Sequence, residues 1–227
     1  MTLATNLAQV QERIERAAQR VGRNPAEITL VGVSKTVGRE VVEEAYRAGL
    51  RVFGENRVPD AEEKFSPLPY SPDQGQLHLI GHLQSNKAKR AANLFDMIHS
   101  VDDYKLAVAL DRHCAELGKK LPILLQINVS GELSKEGLEP SQLTENLEKI
   151  AQLPNLELHG LMTIAPFVQN AEETRPIFRQ LRRLFENQAN SVKMYKWRDL
   201  SMGMTNDFEV AIEEGATLIR VGRAIFQ

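Results

Sequence analysis

The sequence has a single cysteine, Cys114, so it can form neither an internal disulfide nor a metal site built from several cysteines. One free thiol fits a reducing cytoplasm. An excess of charge of one sign is also lacking. The 227 residues carry a formal net charge of −2, which does not indicate a general nucleic-acid binder or a membrane-surface protein. The five histidines show no metal-ligand spacing, and we therefore predict no metal site.

Long apolar runs are absent as well, and none approaches the length that spans a bilayer. The N-terminal segment instead places Leu3, Leu7, Val10 and Ile14 at helical spacing. This spacing predicts an amphipathic helix over Leu3–Val21 rather than a secretory signal. We therefore expect a soluble, cytoplasmic protein.

Short apolar runs alternate with amphipathic helical patterns along the chain, which predicts parallel βαβ units. The predicted strands are Ile28–Ser34, Arg51–Gly54, Leu77–Gly81, Met97–His99, Ile123–Val129, Glu157–Ile164, Asp199–Met202 and Thr217–Val221. The predicted helices include Arg39–Ala48, Lys87–Leu94, Tyr104–Leu117, Pro140–Leu153, Ala171–Asn187 and Asp207–Glu214.

Eight such strands fit a closed (β/α)8 barrel (TIM barrel) or an open doubly wound sheet. No glycine-rich dinucleotide fingerprint follows the first strand, which favours the barrel. A chain of this length with 42% hydrophobic residues suits one core. We therefore predict one domain over residues 1–227, with the N-terminal helix outside the strands and the proline-rich Ser66–Gly75 as a loop within it.

Ligand groups of such barrels lie at the C-terminal ends of the strands, and Lys35 directly follows the apolar run of the first one. A lysine that is partly removed from water there becomes a nucleophile toward aldehydes. The alternative is a strand-terminal lysine that only reaches solvent.

The seventh and eighth predicted strands end in L-S-M-G-M-T and R-V-G-R-A-I-F. Barrels often bind phosphate at this position with loop amides and a short extra helix. Ser201 offers a hydroxyl and Arg223 a charge, while Gly203 and Gly222 allow close backbone approach. The alternative is that the two glycines only form tight turns.

Arg220 lies within the otherwise apolar eighth strand, and its permanent charge requires a partner. That partner is either a carboxylate, such as Glu55 or Asp199, or a hydrogen-bond acceptor on a ligand.

Five motifs together resemble the pyridoxal phosphate homeostasis proteins, which are single-domain relatives of the alanine racemase N-terminal barrel. They are V-S-K-T, F-G-E-N-R-V, H-L-I-G-H-L-Q-S-N-K, H-G-L-M-T-I and the stretch from Leu200 to Phe226. The resemblance implies a Schiff base between Lys35 and the aldehyde of pyridoxal 5′-phosphate (PLP). It also implies phosphate contacts from Ser201, Gly222 and Arg223, a contact of Arg220 with the pyridine nitrogen, and positions near the ring or the lysine for Asn56 and Met202. It assigns no role to His82 and Gln84.

An arginine opposite the pyridine nitrogen keeps that nitrogen unprotonated and weakens the ring as an electron sink. The sequence also ends directly after the last barrel segment, so we expect no second domain to supply the other base of a racemase. The resemblance implies a role in PLP homeostasis and amino-acid balance without robust catalysis. The missing domain favours a monomer, and an open cofactor face favours exchange of PLP with apo-enzymes. Two alternatives are a weak PLP-dependent amino-acid racemase and a phosphosugar enzyme that uses Lys35.

Overall fold

The computed structural model describes residues 2–71, 74–132, 136–188 and 197–227. Its strands are β1 (Thr29–Val33), β2 (Val52–Glu55), β3 (Gln76–Leu79), β4 (Met97–Val101), β5 (Leu121–Gln126), β6 (Leu156–Met162), β7 (Asp199–Met204) and β8 (Leu218–Val221). Its α-helices are α1 (Leu3–Arg20), α2 (Arg39–Arg47), α3 (Val58–Phe65), α4 (Ala88–Leu94), α5 (Tyr104–Leu117), α6 (Leu143–Ile150), α7 (Arg175–Gln188), α8 (Phe208–Glu213) and α9 (Arg223–Phe226).

The strands are all parallel and close into one barrel in the order β1 to β8, with β1 paired to β8. The predicted (β/α)8 barrel is therefore confirmed, and the open sheet is excluded. Three predicted strands run at least two residues too far, because β3 ends at Leu79, β5 at Gln126 and β6 at Met162. After β5, Ile127 pairs with Leu138 in an isolated bridge, so its apolar side chain is buried under a loop instead of extending the strand.

Alternation along the strands separates two apolar regions. Val31 and Val33 of β1 belong to a small cluster inside the barrel, together with residues such as Met162 and Leu218. The larger cluster lies between the strands and the surrounding helices. Because successive side chains of a strand point to opposite faces, this division tells which residues face the barrel axis.

Helix α1 packs outside the barrel against α8 and α9, as predicted for the N-terminal helix. Thr2 caps it by accepting a hydrogen bond from the Thr5 amide, and its apolar face is buried. The side-chain amide of Asn6 donates to the carbonyl oxygen of Ile225 at 3.1 Å. The first helix of the chain is thus tied to α9.

Helix α3 was not among the predicted helices, and Pro59 near its start explains why. Proline interrupts most helical patterns, yet within the first turn its missing N–H costs no hydrogen bond. The loop that follows is not free of tertiary contacts, because Tyr70 stacks on Phe53 with ring centroids 5.6 Å apart. Positions 72 and 73 of this predicted loop lie outside the described residues.

Among the described residues, no helix is long and apolar enough to cross a membrane. The same residues contain no group of three or more histidine, cysteine, aspartate or glutamate side chains placed to hold a metal ion. Cys114 is a buried free thiol in α5.

Candidate functional site

Lys35 lies at the C-terminal end of β1, one residue beyond Ser34. Val31 and Val33 face the barrel interior, so the alternation directs Lys35 toward the barrel mouth. Lys35 is exposed, so its partial removal from water stays a prediction. Its ammonium has no hydrogen-bond or ion-pair partner among the described residues.

A buried ion pair supports the turn that carries Lys35. The Glu55 carboxylate is fully buried and accepts hydrogen bonds from the Ser34 hydroxyl at 2.7 Å and from the Lys64 ammonium at 2.8 Å. Lys64 also donates to the Ser34 carbonyl oxygen at 2.9 Å, which joins α3 to the ends of β1 and β2. This arrangement fixes the peptide immediately before Lys35.

Arg220 lies inside the barrel near the end of β8, and only 4% of its surface is exposed. Its guanidinium donates to the Ser201 hydroxyl at 2.6 Å and to the Thr163 carbonyl oxygen at 2.9 Å. Burial lowers the pKa of Arg220 to about 10, and the negative charge of Asp207 opposes that shift. The carboxylate partners considered from the sequence, Glu55 and Asp199, do not hydrogen-bond to it.

A hydrogen-bond chain continues from Arg220 across the barrel interior. His99 Nδ1 lies 2.9 Å from the Ser201 hydroxyl, and His99 Nε2 lies 3.0 Å from His78 Nδ1. The second nitrogen of His78 lies 3.2 Å from the Gln76 amide oxygen. Arginine can only donate, so Ser201 accepts from Arg220. At the other end the Gln76 amide oxygen can only accept, so His78 donates from Nε2 and its Nδ1 accepts from His99. The Nδ1 of a neutral His99 is then an acceptor, to which Ser201 donates. Each later bond then has one direction, and both histidines carry their proton on Nε2.

Both histidines are neutral, as these hydrogen-bond directions require. Burial lowers the pKa of His78 to about 4. Burial also holds the pKa of His99 well below its usual value, and the positive charge of Arg220 lowers it further. Within this series of hydrogen-bonded side chains, the guanidinium of Arg220 is therefore the only group with a full charge.

The backbone at Gly222 lies against the end of β1. A Cβ at this position would stand 3.2 Å from the Val33 carbonyl oxygen, so a larger residue has little room. The Gly222 amide points to the Thr205 hydroxyl at 3.4 Å, and the exposed Arg223 donates to the Asn206 side chain at 3.3 Å. Arg223 begins the short helix α9, which the sequence predicted after the eighth strand.

The residues of β7 lie at different depths. The Ser201 hydroxyl is fully buried and already bonded to Arg220 and His99, so it does not line the mouth. Met202 packs in the outer core between strands and helices, so its side chain faces away from the barrel interior. The predicted position of Met202 near the ring or Lys35 is then open only to its backbone. Gly203 has a φ of +89°, and a Cβ there would lie 2.5 Å from the Ala211 Cβ, so α8 can approach only a glycine.

Asn56 follows β2 at the mouth and is half-buried. His82 lies farther round the rim, where its Nδ1 is 3.3 Å from Glu136 and 3.6 Å from Asp102. Gln84 is exposed on the same loop. The structure therefore brings Lys35, Asn56, Gly222 and Arg223 to one end of the barrel.

The sequence interpretation missed His78, His99 and Thr163, which surround Arg220 and Ser201. Two of them had a signal, since His78 and His99 each lie within a short apolar strand. A polar side chain in such a strand must face a buried partner. Thr163 had no signal, because it contributes its backbone carbonyl oxygen.

The family described as "Alanine racemase, N-terminal domain" matches residues 5–227. A pyridoxal phosphate homeostasis protein of Aquifex aeolicus is 41% identical over 226 residues, covering 100% of this chain and 98% of that protein. The protein of the same name from Pseudomonas aeruginosa is 42% identical, covering 99% of this chain and 95% of that one. The chain belongs to the pyridoxal phosphate homeostasis protein family. The resemblance seen in its motifs is thereby confirmed.

A solved structure, that of PipY from Synechococcus elongatus PCC7942 with PLP bound, is 38% identical. It superposes with a TM-score of 0.87, covering 100% of both chains. An alanine racemase of Clostridium difficile superposes with a TM-score of 0.75 at 13% identity, covering 99% of this chain and 56% of the racemase. That second likeness concerns the barrel fold alone.

Proposed function

We propose that this chain binds PLP at the C-terminal mouth of the barrel, covalently through Lys35, and takes part in PLP homeostasis. The observation that carries the proposal is the buried Arg220, a full charge held at the mouth by neutral acceptors. Lys35 supplies an amine without a protein partner at the same end of the barrel. Membership of the family and the PLP-bound structure of PipY support the assignment.

The residues at the mouth fit the parts of this cofactor. Lys35 is the amine that condenses with the aldehyde, with loss of one water, to form the Schiff base. Arg220 contacts the pyridine nitrogen, and Asn56 lies beside the ring. The backbone amides at Gly203 and Gly222, with the charge of Arg223, hold the phosphate.

Two refinements come from the contacts on β7 and β8. Because the Ser201 hydroxyl is buried between Arg220 and His99, we assign it to holding Arg220 rather than to the phosphate. The Thr205 hydroxyl lies beside the Gly222 amide and takes the place of Ser201 as the phosphate contact. Met202 keeps a place in the site only through its backbone, between Ser201 and Gly203.

Bound PLP supplies an electron-withdrawing ring, and Arg220 limits that capacity because it cannot give its proton to the pyridine nitrogen. The tyrosines of the described residues, Tyr46, Tyr70 and Tyr104, do not follow directly on a strand at the mouth, and Tyr195 lies outside those residues. We therefore propose that the protein holds PLP without robust catalysis. A monomer in the cytoplasm that passes PLP to apo-enzymes is part of the same proposal.

The covalent assignment is tested with Lys35→Ala. The purified wild-type protein with PLP should show an absorption band well to the red of protein, and borohydride should add a stable mass to the peptide that contains V-S-K-T. Lys35→Ala should lose both signals, whereas the matched control Lys89→Ala should keep them. An adduct on another lysine, with the band retained in Lys35→Ala, contradicts the assignment.

The distinction from a racemase is tested with alanine in deuterium oxide. We expect no enzyme-dependent exchange of the alanine Cα proton by the PLP-loaded protein, measured by proton NMR. Exchange that depends on protein and is lost in Lys35→Ala would instead support the weak racemase.

A further inference from the structure

A groove lies beside the mouth, between the ends of β2 and β3. Its cavity volume is about 320 Å³. One wall is formed by Asn56, Arg57 and Val58, and the other by residues 81–84 with Lys87. Asn56 belongs to both the mouth and the groove, so a ligand in the groove is a neighbour of the Lys35 site.

The floor of the groove is set by two backbone segments in contact. A Cβ at Gly81 would lie 2.4 Å from the Asn56 carbonyl oxygen, so only glycine permits this approach. The Ser100 hydroxyl also donates to the Gly81 carbonyl oxygen at 2.6 Å and holds that segment against β4. The groove is therefore supported from below by the barrel.

Arg57 and Lys87 give the groove its positive charge. Arg57 is exposed and Lys87 is half-buried, and neither side chain has a hydrogen-bond or ion-pair partner within residues 2–71, 74–132, 136–188 and 197–227. Arg90, one turn beyond Lys87, differs from these two residues because it forms an ion pair with Glu62 of α3. The helices that border the groove thus form an ion pair where an acid is available and leave two cations at the cavity.

Neutral donors complete the lining. The side-chain amides of Asn56 and Gln84 can donate into the cavity. His82 is not one of these donors, because its Nδ1 faces the carboxylates of Glu136 and Asp102. A neutral ring in that orientation has only a lone pair on Nε2. Two cations and several hydrogen-bond donors suit a phosphate dianion as the ligand better than they suit a single carboxylate.

We propose that this groove is a second binding site, which takes a phosphate monoester of the vitamin B6 class next to the Lys35 site. Its volume suits one small molecule of that size. The choice of vitamer rests on the proposed function, since a protein that handles PLP meets this phosphate monoester at its mouth. A chain with both sites filled holds two vitamers.

The test uses protein in which Lys35 has been blocked by PLP and borohydride, with the adduct verified by mass. Pyridoxine 5′-phosphate, which has no aldehyde, is then titrated by calorimetry. We expect about one equivalent to bind per chain. Arg57→Gln with Lys87→Gln should weaken this binding at least about tenfold, equal to about 1.4 kcal/mol.

The matched control is Arg47→Gln with Lys89→Gln, which removes the same charge from exposed positions outside the groove. It should leave the titration unchanged, and both double variants should keep the wild-type thermal unfolding midpoint. Absence of saturable binding, or equal binding by the Arg57 and Lys87 variant, overturns the site. Inorganic phosphate that binds as tightly as pyridoxine 5′-phosphate overturns the vitamer assignment. A missing Lys35 adduct counts against the proposed function and is seen before the titration.

Discussion

Replacing Ser201 by alanine removes the hydroxyl that connects Arg220 to His99. Arg220 then keeps only its bond to the Thr163 carbonyl oxygen, and His99 Nδ1 is left without a donor. A hydrogen bond to a charged group contributes about 1.5–3 kcal/mol, and a buried acceptor left unsatisfied costs about 1–3 kcal/mol. We expect Ser201→Ala to lower the free energy of unfolding of the ligand-free protein by about 3–5 kcal/mol.

Ser100→Ala is the matched control, since Ser100 is equally buried but its hydroxyl donates only to the Gly81 carbonyl oxygen. That loss should cost about 1 kcal/mol. Urea unfolding at neutral pH measures both values. Ser201→Ala should also weaken PLP binding about tenfold, because Arg220 is less firmly held. A destabilisation no larger than that of Ser100→Ala, with unchanged PLP affinity, would refute the hydrogen-bond chain.

The remaining predictions concern the other buried polar groups. His78 and His99 are neutral in the fold, with the pKa of His78 lowered from 6.5 to about 4 by burial. Between pH 6.5 and 4 the unfolded chain takes up more protons than the folded protein, so stability is full above this range and should fall by about 1.4 kcal/mol per pH unit through His78, with His99 acting in the same direction. Urea unfolding at pH 7.5 and 5.5 measures the fall, and equal stabilities would contradict it. Lys64→Met leaves the Glu55 carboxylate buried without its cation, and we expect a loss of about 3–5 kcal/mol by the same assay. Loss of less than 1 kcal/mol would show that the pair does not support the Ser34 turn.

The strand pattern carried most of the fold. Alternating apolar runs and helical patterns predicted all eight strands. Each parallel strand is buried on both faces, so it forms a short, nearly continuous apolar run that can be recognised in the sequence. Helix α3 was not predicted because proline breaks the interior of a helix but is tolerated in its first turn, where Pro59 lies. The ends of β5 at Gln126 and of β6 at Met162 depend on where the backbone hydrogen bonds between strands stop. Apolar composition does not predict that point.

The site was less accessible from the sequence. The position of Lys35 at a strand end was readable, but its exposure depends on the surrounding loops. The partners of Arg220 come from β6 and β7, and no local pattern predicts which hydroxyl or carbonyl reaches a buried guanidinium. The register between β7 and β8 shifts between Ser201 and Met204, so the depth of each β7 side chain could not be counted from the motif.

The pairing of β1 with β8 also decides when the proposed site can exist. Lys35 follows the first strand and Gly222 the last, and they meet only when these two strands hydrogen-bond. During synthesis β1 is made early and β8 last. The edge of β1 that pairs with β8 therefore stays unpaired until nearly all of the chain has been made. Contacts between such distant segments form late in folding because their loop-closure entropy is largest. PLP uptake during refolding would therefore report the final closure of the barrel rather than the collapse that precedes it.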